Sequence, residues 1–297
     1  PGSPLDRSSA GSDVYKRQQQ QVHDLRGNHV AFSPGEGRYV VSASDDHFIV
    51  VYDTVEDMEV ARFDSHTEAI EAVAFHPSDA IVASGGSDKV IKFWNIQTHE
   101  QVPPPITMTA AIWSLEFDRI GEMIAVGTGS DVRLVEAKTG KEMAILDSGG
   151  NGTRILDIAF SLNGEWLATA NERGTTDIWQ RPQMPEASFL TNPVMSLRSD
   201  SGAVYSLALS PDGELLAATT NAGEILVYQT EDWTQRLRLG TDTTDQEMNS
   251  VAFSPDSQLL LAACEDGTVR VYRIDPIEDL LELAEERLIP YTQLDSK

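Results

Sequence analysis

Short apolar runs recur along the chain at an almost fixed spacing. HVAFSP (29–34), AVAFHP (72–77), SLEFD (114–118), DIAFS (157–161), SLALSP (206–211) and SVAFSP (250–255) contain the anchors Phe32, Phe75, Phe117, Phe160, Leu209 and Phe253. The anchors are separated by 43, 42, 43, 49 and 44 residues. A second anchor follows each one about 19 residues later: Tyr52, Trp94, Val135, Trp179, Tyr228 and Tyr272. Between the anchors the order repeats. An apolar strand is followed by a turn such as PDG (211–213), a small-residue strand such as LLAATT (215–220), a tight turn, and a β-branched strand such as TVRVY (268–272). Period-two alternation punctuated by Gly, Pro, Asp and Asn predicts strands and turns, not helices. The chain is therefore expected to be all-β, with six four-stranded sheets that bury their faces by stacking on one another. The 49-residue interval, around 180–193, predicts a longer surface connection.

The pattern changes at both ends. After Ile274 the apolar period becomes helical. Asp275 suits an N-cap, Pro276 the first helical position, and Glu278 completes a capping box. Ile277, Leu280, Leu281, Ala284 and Leu288 then share one face, predicting a short amphipathic helix and tail over 275–297. Residues 1–18 show no strand pattern and lack the apolar core of a signal peptide. The string SSAGSDVYKRQ resembles translated adapter read-through, and the other reading is a natural disordered linker. Residues 1–18 are thus expected to be a non-native or disordered leader, 19–274 the repeat domain, and the whole the C-terminal piece of something longer.

Copy two, ASGGSDKVIKFWN (83–95), resembles the WD40-repeat family: a small-residue strand, an Asp turn, and a strand ending near Trp. VSASDDHFIVVYD (41–53) and AACEDGTVRVYR (262–273) are similar, and the resemblance spans about residues 24–274. It implies a WD40 β-propeller with six recognisable blades, standing either as a closed ring or as a fragment of a seven-bladed one. It also implies a buried His–Ser/Thr–Asp–Trp brace in each blade. Only copy two supplies all four members, His66, Ser84, Asp88 and Trp94. Copy one keeps Ser42 and Asp46, copy four Thr169 and Trp179, and copy six Asp266. Copies three and five have Ala125 with Val135 and Ala218 with Tyr228, so apolar packing is expected to replace the network there. In this family the N-terminus often donates the last blade's outermost strand, and QQQQVHDL (18–25) sits where that strand would fall. The family also places the start of each inner strand around the central channel. Four residues before each anchor these are Asn28, Glu71, Trp113, Leu156, Tyr205 and Asn249, expected to form a partner-binding face with Trp113 as its anchor. Burial between blades is the alternative for these six.

Composition narrows the functions. The 297 residues carry 47 acidic and 22 basic side chains, a net charge of −25. Such a polyanion disfavours nucleic acid and anionic membranes as partners. The loops expected on the two faces carry similar negative charge, so the acidity reads as solubility. One cysteine, Cys264, excludes a disulfide framework and fits the cytoplasm. No apolar run reaches the ~20 residues of a membrane span. Catalytic chemistry is not legible. SGGNGT (148–153) lacks the Gly-Lys-Ser/Thr ending of a phosphate loop. The six histidines show no zinc-ligand pairing. Asp45 with Asp46, and Glu265 with Asp266, read as solvated turn residues, because the alternating calcium loop is absent. No metal or cofactor is expected.

The chain is therefore expected to be a non-catalytic scaffold or sensor that binds a protein or peptide. The tail DLLELAEERL (279–288) resembles the end of bacterial WD40 proteins whose propeller follows a STAND-type nucleotide-binding, caspase-like or kinase domain. That resemblance implies a larger bacterial signalling or defence protein with an upstream effector domain. The alternatives are a stand-alone adaptor of a multiprotein complex and a propeller enzyme of lactonase or quinoprotein type.

Overall fold

The computed structural model describes residues 22–35, 37–64, 66–78, 80–129, 131–148, 152–181, 192–240, 247–265 and 268–274. The leader and the tail helix expected from sequence lie outside them. The described residues form a six-bladed β-propeller. Blade 1 is β1 (Gly27–Phe32), β2 (Tyr39–Ser44), β3 (Phe48–Asp53) and β4 (Met58–Asp64). Blade 2 is β5 (Ile70–Phe75), β6 (Ile81–Gly86), β7 (Val90–Asn95) and β8 (Glu100–Thr107). Blade 3 is β9 (Ser114–Phe117), β10 (Met123–Gly127), β11 (Val132–Glu136) and β12 (Glu142–Leu146). Blade 4 is β13 (Ile155–Phe160), β14 (Trp166–Asn171), β15 (Thr175–Gln180) and β16 (Met195–Arg198). Blade 5 is β17 (Val204–Leu209), β18 (Leu215–Thr220), β19 (Ile225–Gln229) and β20 (Gln235–Leu239). Blade 6 has three strands among the described residues, β21 (Met248–Phe253), β22 (Leu259–Cys264) and β23 (Val269–Arg273). Every sheet is an antiparallel meander, and each anchor ends an inner strand.

The residue after the anchor fixes the first turn. Ser33, Ser161, Ser210 and Ser254 each accept, through Oγ, the backbone N–H that opens the second strand, at 2.9–3.0 Å. Asp118 does the same for Met123 at 3.0 Å. A short side chain that bonds its own backbone a few residues on favours a turn over a continued strand. This is why Phe-Ser-Pro recurs at the blade's first corner.

Burial follows the alternation. Five apolar clusters lie between consecutive blades, from blades 1 and 2 through to blades 5 and 6. The inner strand of each blade from the second to the sixth packs on the first two strands of the blade before it. The small-residue strands permit this approach. A Cβ on Gly85 would come within 2.9–3.0 Å of Ile112 and Leu115 of the next blade. No cluster of this kind joins blade 6 to blade 1 among the described residues.

Candidate functional site

The inner strands share one irregularity. In β1, Gly27 pairs with Ser44 and His29 with Ala43, leaving Asn28 as an extra residue on its strand. The same bulge falls at Glu71, Leu156, Tyr205 and Asn249. Trp113 holds the matching place just before β9, its N–H donating to the Gly127 carbonyl at 2.9 Å. A bulge bends its strand and re-aims the side chain out of the regular alternation. The six residues singled out by spacing are these residues. Asn249 is exposed and the other five are half-buried, so none is enclosed between blades.

Arg154, on the loop entering β13, ties this face together. Its guanidinium carbon lies 4.8 Å from the Trp113 ring centroid, within cation–π range. Its Nε donates to Glu172 Oε2 at 2.8 Å. Its charge also favours the ionised forms of Glu71 and Tyr205. Against that, burial pushes the Glu71 carboxyl up, and the Asp45 carboxylate adds to the rise. Burial likewise raises the Tyr205 phenol, with Glu247 and Glu265 contributing. Asn28 Nδ2 donates to Asp45 Oδ1 at 2.7 Å and to the Ile70 carbonyl at 3.1 Å, linking blades 1 and 2. The face thus combines two aromatic side chains, the guanidiniums of Arg154 and Arg26, and a surround of carboxylates. That chemistry suits apolar contact and hydrogen bonding to a polypeptide.

Below the face, ionisable groups join blade to blade. His29 Nδ1 accepts the Val73 N–H at 3.5 Å, Asp157 Oδ2 the Leu207 N–H at 2.7 Å, and Ser206 Oγ the Val251 N–H at 3.4 Å. Glu116 Oε2 accepts the Phe160 N–H at 2.8 Å. Burial pushes the Glu116 carboxyl well above its ordinary value and raises Asp157, while it lowers the His29 imidazole. Each of these carboxylates takes a backbone donor of the neighbouring blade. Among the described residues no group of three His, Cys, Asp or Glu could hold a metal ion.

The brace of blade 2 forms one chain of hydrogen bonds. His66 Nδ1 lies 2.8 Å from Asp88 Oδ2, His66 Nε2 lies 2.7 Å from Ser84 Oγ, and Trp94 Nε1 donates to Ser84 Oγ at 2.8 Å. These partners assign the tautomer with hydrogen on Nδ1. Burial holds the imidazole below its ordinary pKa, opposing the Asp88 carboxylate.

Sequence reading missed the brace histidine of blade 1. His23 Nε2 lies 2.7 Å from Ser42 Oγ and its Nδ1 3.0 Å from Asp46 Oδ2. The stretch 22–25 thus docks on blade 1, while 18–21, the rest of the stretch expected to complete the last blade, lie outside the described residues. His23 stands nine residues before Phe32, as His66 stands nine before Phe75, and that spacing was the available signal. In blade 4, Trp179 Nε1 donates to Thr169 Oγ1 at 3.0 Å, and Ser148 lies 3.4 Å from Thr169 Oγ1. Asp266, the brace residue expected of blade 6, lies outside the described residues.

The complete brace of blade 2 and the bulged inner strands are features of a WD-repeat blade. Two models of WD40 domains match parts of this chain. A model described as the WD domain, G-beta repeat, matches residues 58–95, and one described as the anaphase-promoting complex subunit 4 WD40 domain matches 196–285. The chain is similar to the small ribosomal subunit protein RACK1 of Caenorhabditis elegans, 32% identical over 173 residues, covering 56% of this chain and 52% of that protein. It is 24% identical over 221 residues to the periodic tryptophan protein 2 homolog of Dictyostelium discoideum, covering 73% of this chain and 23% of the relative. It is 20% identical over 203 residues to the LST8 homolog of Drosophila melanogaster, covering 67% and 50%. The chain thus spans between 23% and 52% of the length of these relatives.

Proposed function

We propose that the protein is a non-catalytic platform that binds a polypeptide on the face carrying Asn28, Glu71, Trp113, Leu156, Tyr205 and Asn249. The observation that carries this reading is the bulge repeated in the inner strands, which lifts five of these side chains out of the sheets, with Trp113 at the matching place just before β9. Trp113, stacked with Arg154, is the anchor. Asp45, Glu71 and Glu265 offer acceptors to backbone or cationic donors around it. The name of one relative, a small ribosomal subunit protein, favours service inside an assembly. The tail DLLELAEERL favours the C-terminal module of a larger bacterial signalling or defence chain with an upstream effector domain. The single cysteine and the acidity favour the cytoplasm, with neither nucleic acid nor membrane as partner.

Peptides selected from a random display library on the immobilised chain provide the test. Trp113→Ala is expected to weaken the selected peptides by tenfold or more, ~1.4 kcal/mol or greater. Leu162→Ala, in the turn between β13 and β14, leaves them unchanged. Selected peptides indifferent to Trp113→Ala would refute the assignment of this face.

A further inference from the structure

The two ends of the blade series are apolar where every interior junction is covered. On blade 6, Leu259, Leu261 and Ala263 of β22 and Val269 and Val271 of β23 lie on the wall that elsewhere receives the next blade. Val269 is 63% exposed and Val271 59%. Their counterparts by strand register in blade 1 are Ile49 and Val51, both fully buried in the cluster between blades 1 and 2. Blade 1 carries the opposite wall, with Val30 60% and Phe32 64% exposed, while Val73, at the place of Val30 in blade 2, is 1% exposed. A contiguous apolar face of this kind marks a place where something docks.

The chain itself supplies an occupant for the blade 6 wall. Ile274 is buried in the cluster between blades 5 and 6, and its N–H donates to the Gln258 carbonyl at 2.8 Å. Residues 275–297 therefore start beside Leu259, at the corner of that wall. Asp275, Pro276 and Glu278 are helix-start signals, and Ile277, Leu280, Leu281, Ala284 and Leu288 share one face of the helix they predict. Asp279, Glu282 and Glu286 fall on the opposite face. The sizes match. Three strands span about 10 Å and the length of β23 about 17 Å, whereas a helix over 277–289 is ~20 Å long and about 10–12 Å across. The charges match too. Residues 275–297 hold seven acidic and two basic side chains, and Arg273 continues the row of Val269 and Val271 on the wall.

We infer that residues 275–297 fold back as an amphipathic helix on the wall of blade 6 that faces away from blade 5, with the apolar face on β22 and β23 and the acidic face in solvent. A helix laid on one face of an antiparallel sheet is a stable pair of layers, and it removes Val269 and Val271 from water. The tail is then a cap that keeps an apolar wall from drawing in another copy of the chain.

Thiol labelling tests this in a Cys264→Ala background of the full chain. Val271→Cys reads the wall, Leu162→Cys an open turn, and Val51→Cys a position covered by the next blade. Val271→Cys is expected to react with maleimide about tenfold or more slowly than Leu162→Cys. Deleting 275–297 is expected to bring the two rates together, while Val51→Cys stays slow and reports that the blades remain packed. Leu280→Glu combined with Leu288→Glu leaves the chain length unchanged and should release the wall in the same way if the shortened protein fails to fold. Both tail variants are expected to self-associate as concentration rises, read by sedimentation. A wall that reacts like Leu162→Cys in the parent, or whose protection survives both tail variants, would overturn the inference. Protection that disappears on dilution would overturn it in favour of a second copy as the occupant. A released wall with no self-association at any concentration would overturn the capping role.

Discussion

Blades 2 and 5 have the same meander, the same bulge and nearly the same register, yet different chemistry holds their middles. In blade 2, Ser84 is buried between the His66 imidazole and the Trp94 indole, and Asp88 closes the chain. In blade 5 the corresponding residues are Ala218, fully buried, and Tyr228, 5% exposed, in an apolar cluster with Leu207, Leu216 and Trp233. The repeat therefore does not require the polar network. An apolar middle serves in its place, and blades 5 and 3 even hold the buried Thr219 and Ser114 hydroxyls without a hydrogen-bond partner among the described residues, each at the cost of an unmade hydrogen bond.

The largest expected break is Trp94→Ala. It removes a ring stacked on Phe63 at 4.9 Å and leaves Ser84 short of a donor. Chemical denaturation should show a loss of about 3–5 kcal/mol. Ser84→Ala comes next, since it strands both the imidazole Nε2 and the indole N–H, at about 1–3 kcal/mol. The triple change His66→Leu, Ser84→Ala, Trp94→Phe carries blade 2 toward the chemistry of blade 5. It should recover much of the Ser84→Ala loss, and failure to recover would show that the network itself is needed. Ala218→Ser is the reverse experiment, introducing a hydroxyl where no histidine waits, at about 1 kcal/mol.

The smallest effect concerns pH. Burial raises the Glu116 carboxyl, so the native state holds its proton at pH values where the unfolded chain has released it. The resulting stability is complete below the ordinary carboxylate range and is lost as pH rises through the native value. Glu116→Gln keeps an acceptor for the Phe160 N–H and removes the titration. Its Tm should exceed that of the parent by a few degrees at pH 8 and converge with it near pH 4. A constant difference across that range would assign the raised carboxyl no part in stability.

Much of this was legible in the sequence because each blade is local. Apolar alternation placed the strands, and the anchors fell at the ends of the inner strands. Counting back from them reached the five bulged residues and Trp113, just before β9. What the sequence hid lies between repeats. Arg154 joins Trp113 of the preceding blade, and Glu116 and Asp157 look like stray charges in apolar strands until the next blade supplies their N–H donors. His23 was hidden differently, behind a run of glutamines, with no recognisable strand ahead of it to mark its role. The exposed walls of blades 1 and 6 could not be read either, since both sequences have the same pattern as those of covered blades.

The bulge also bears on how such a protein changes over generations. A residue left over in its strand has no partner in the ladder and no place in the clusters between blades, so replacing it disturbs neither. Asn, Glu, Leu and Tyr already occupy that one position within a single molecule. The six positions form a surface whose specificity can drift while the scaffold is conserved. A combinatorial library confined to them should yield new binders that melt close to the parent temperature.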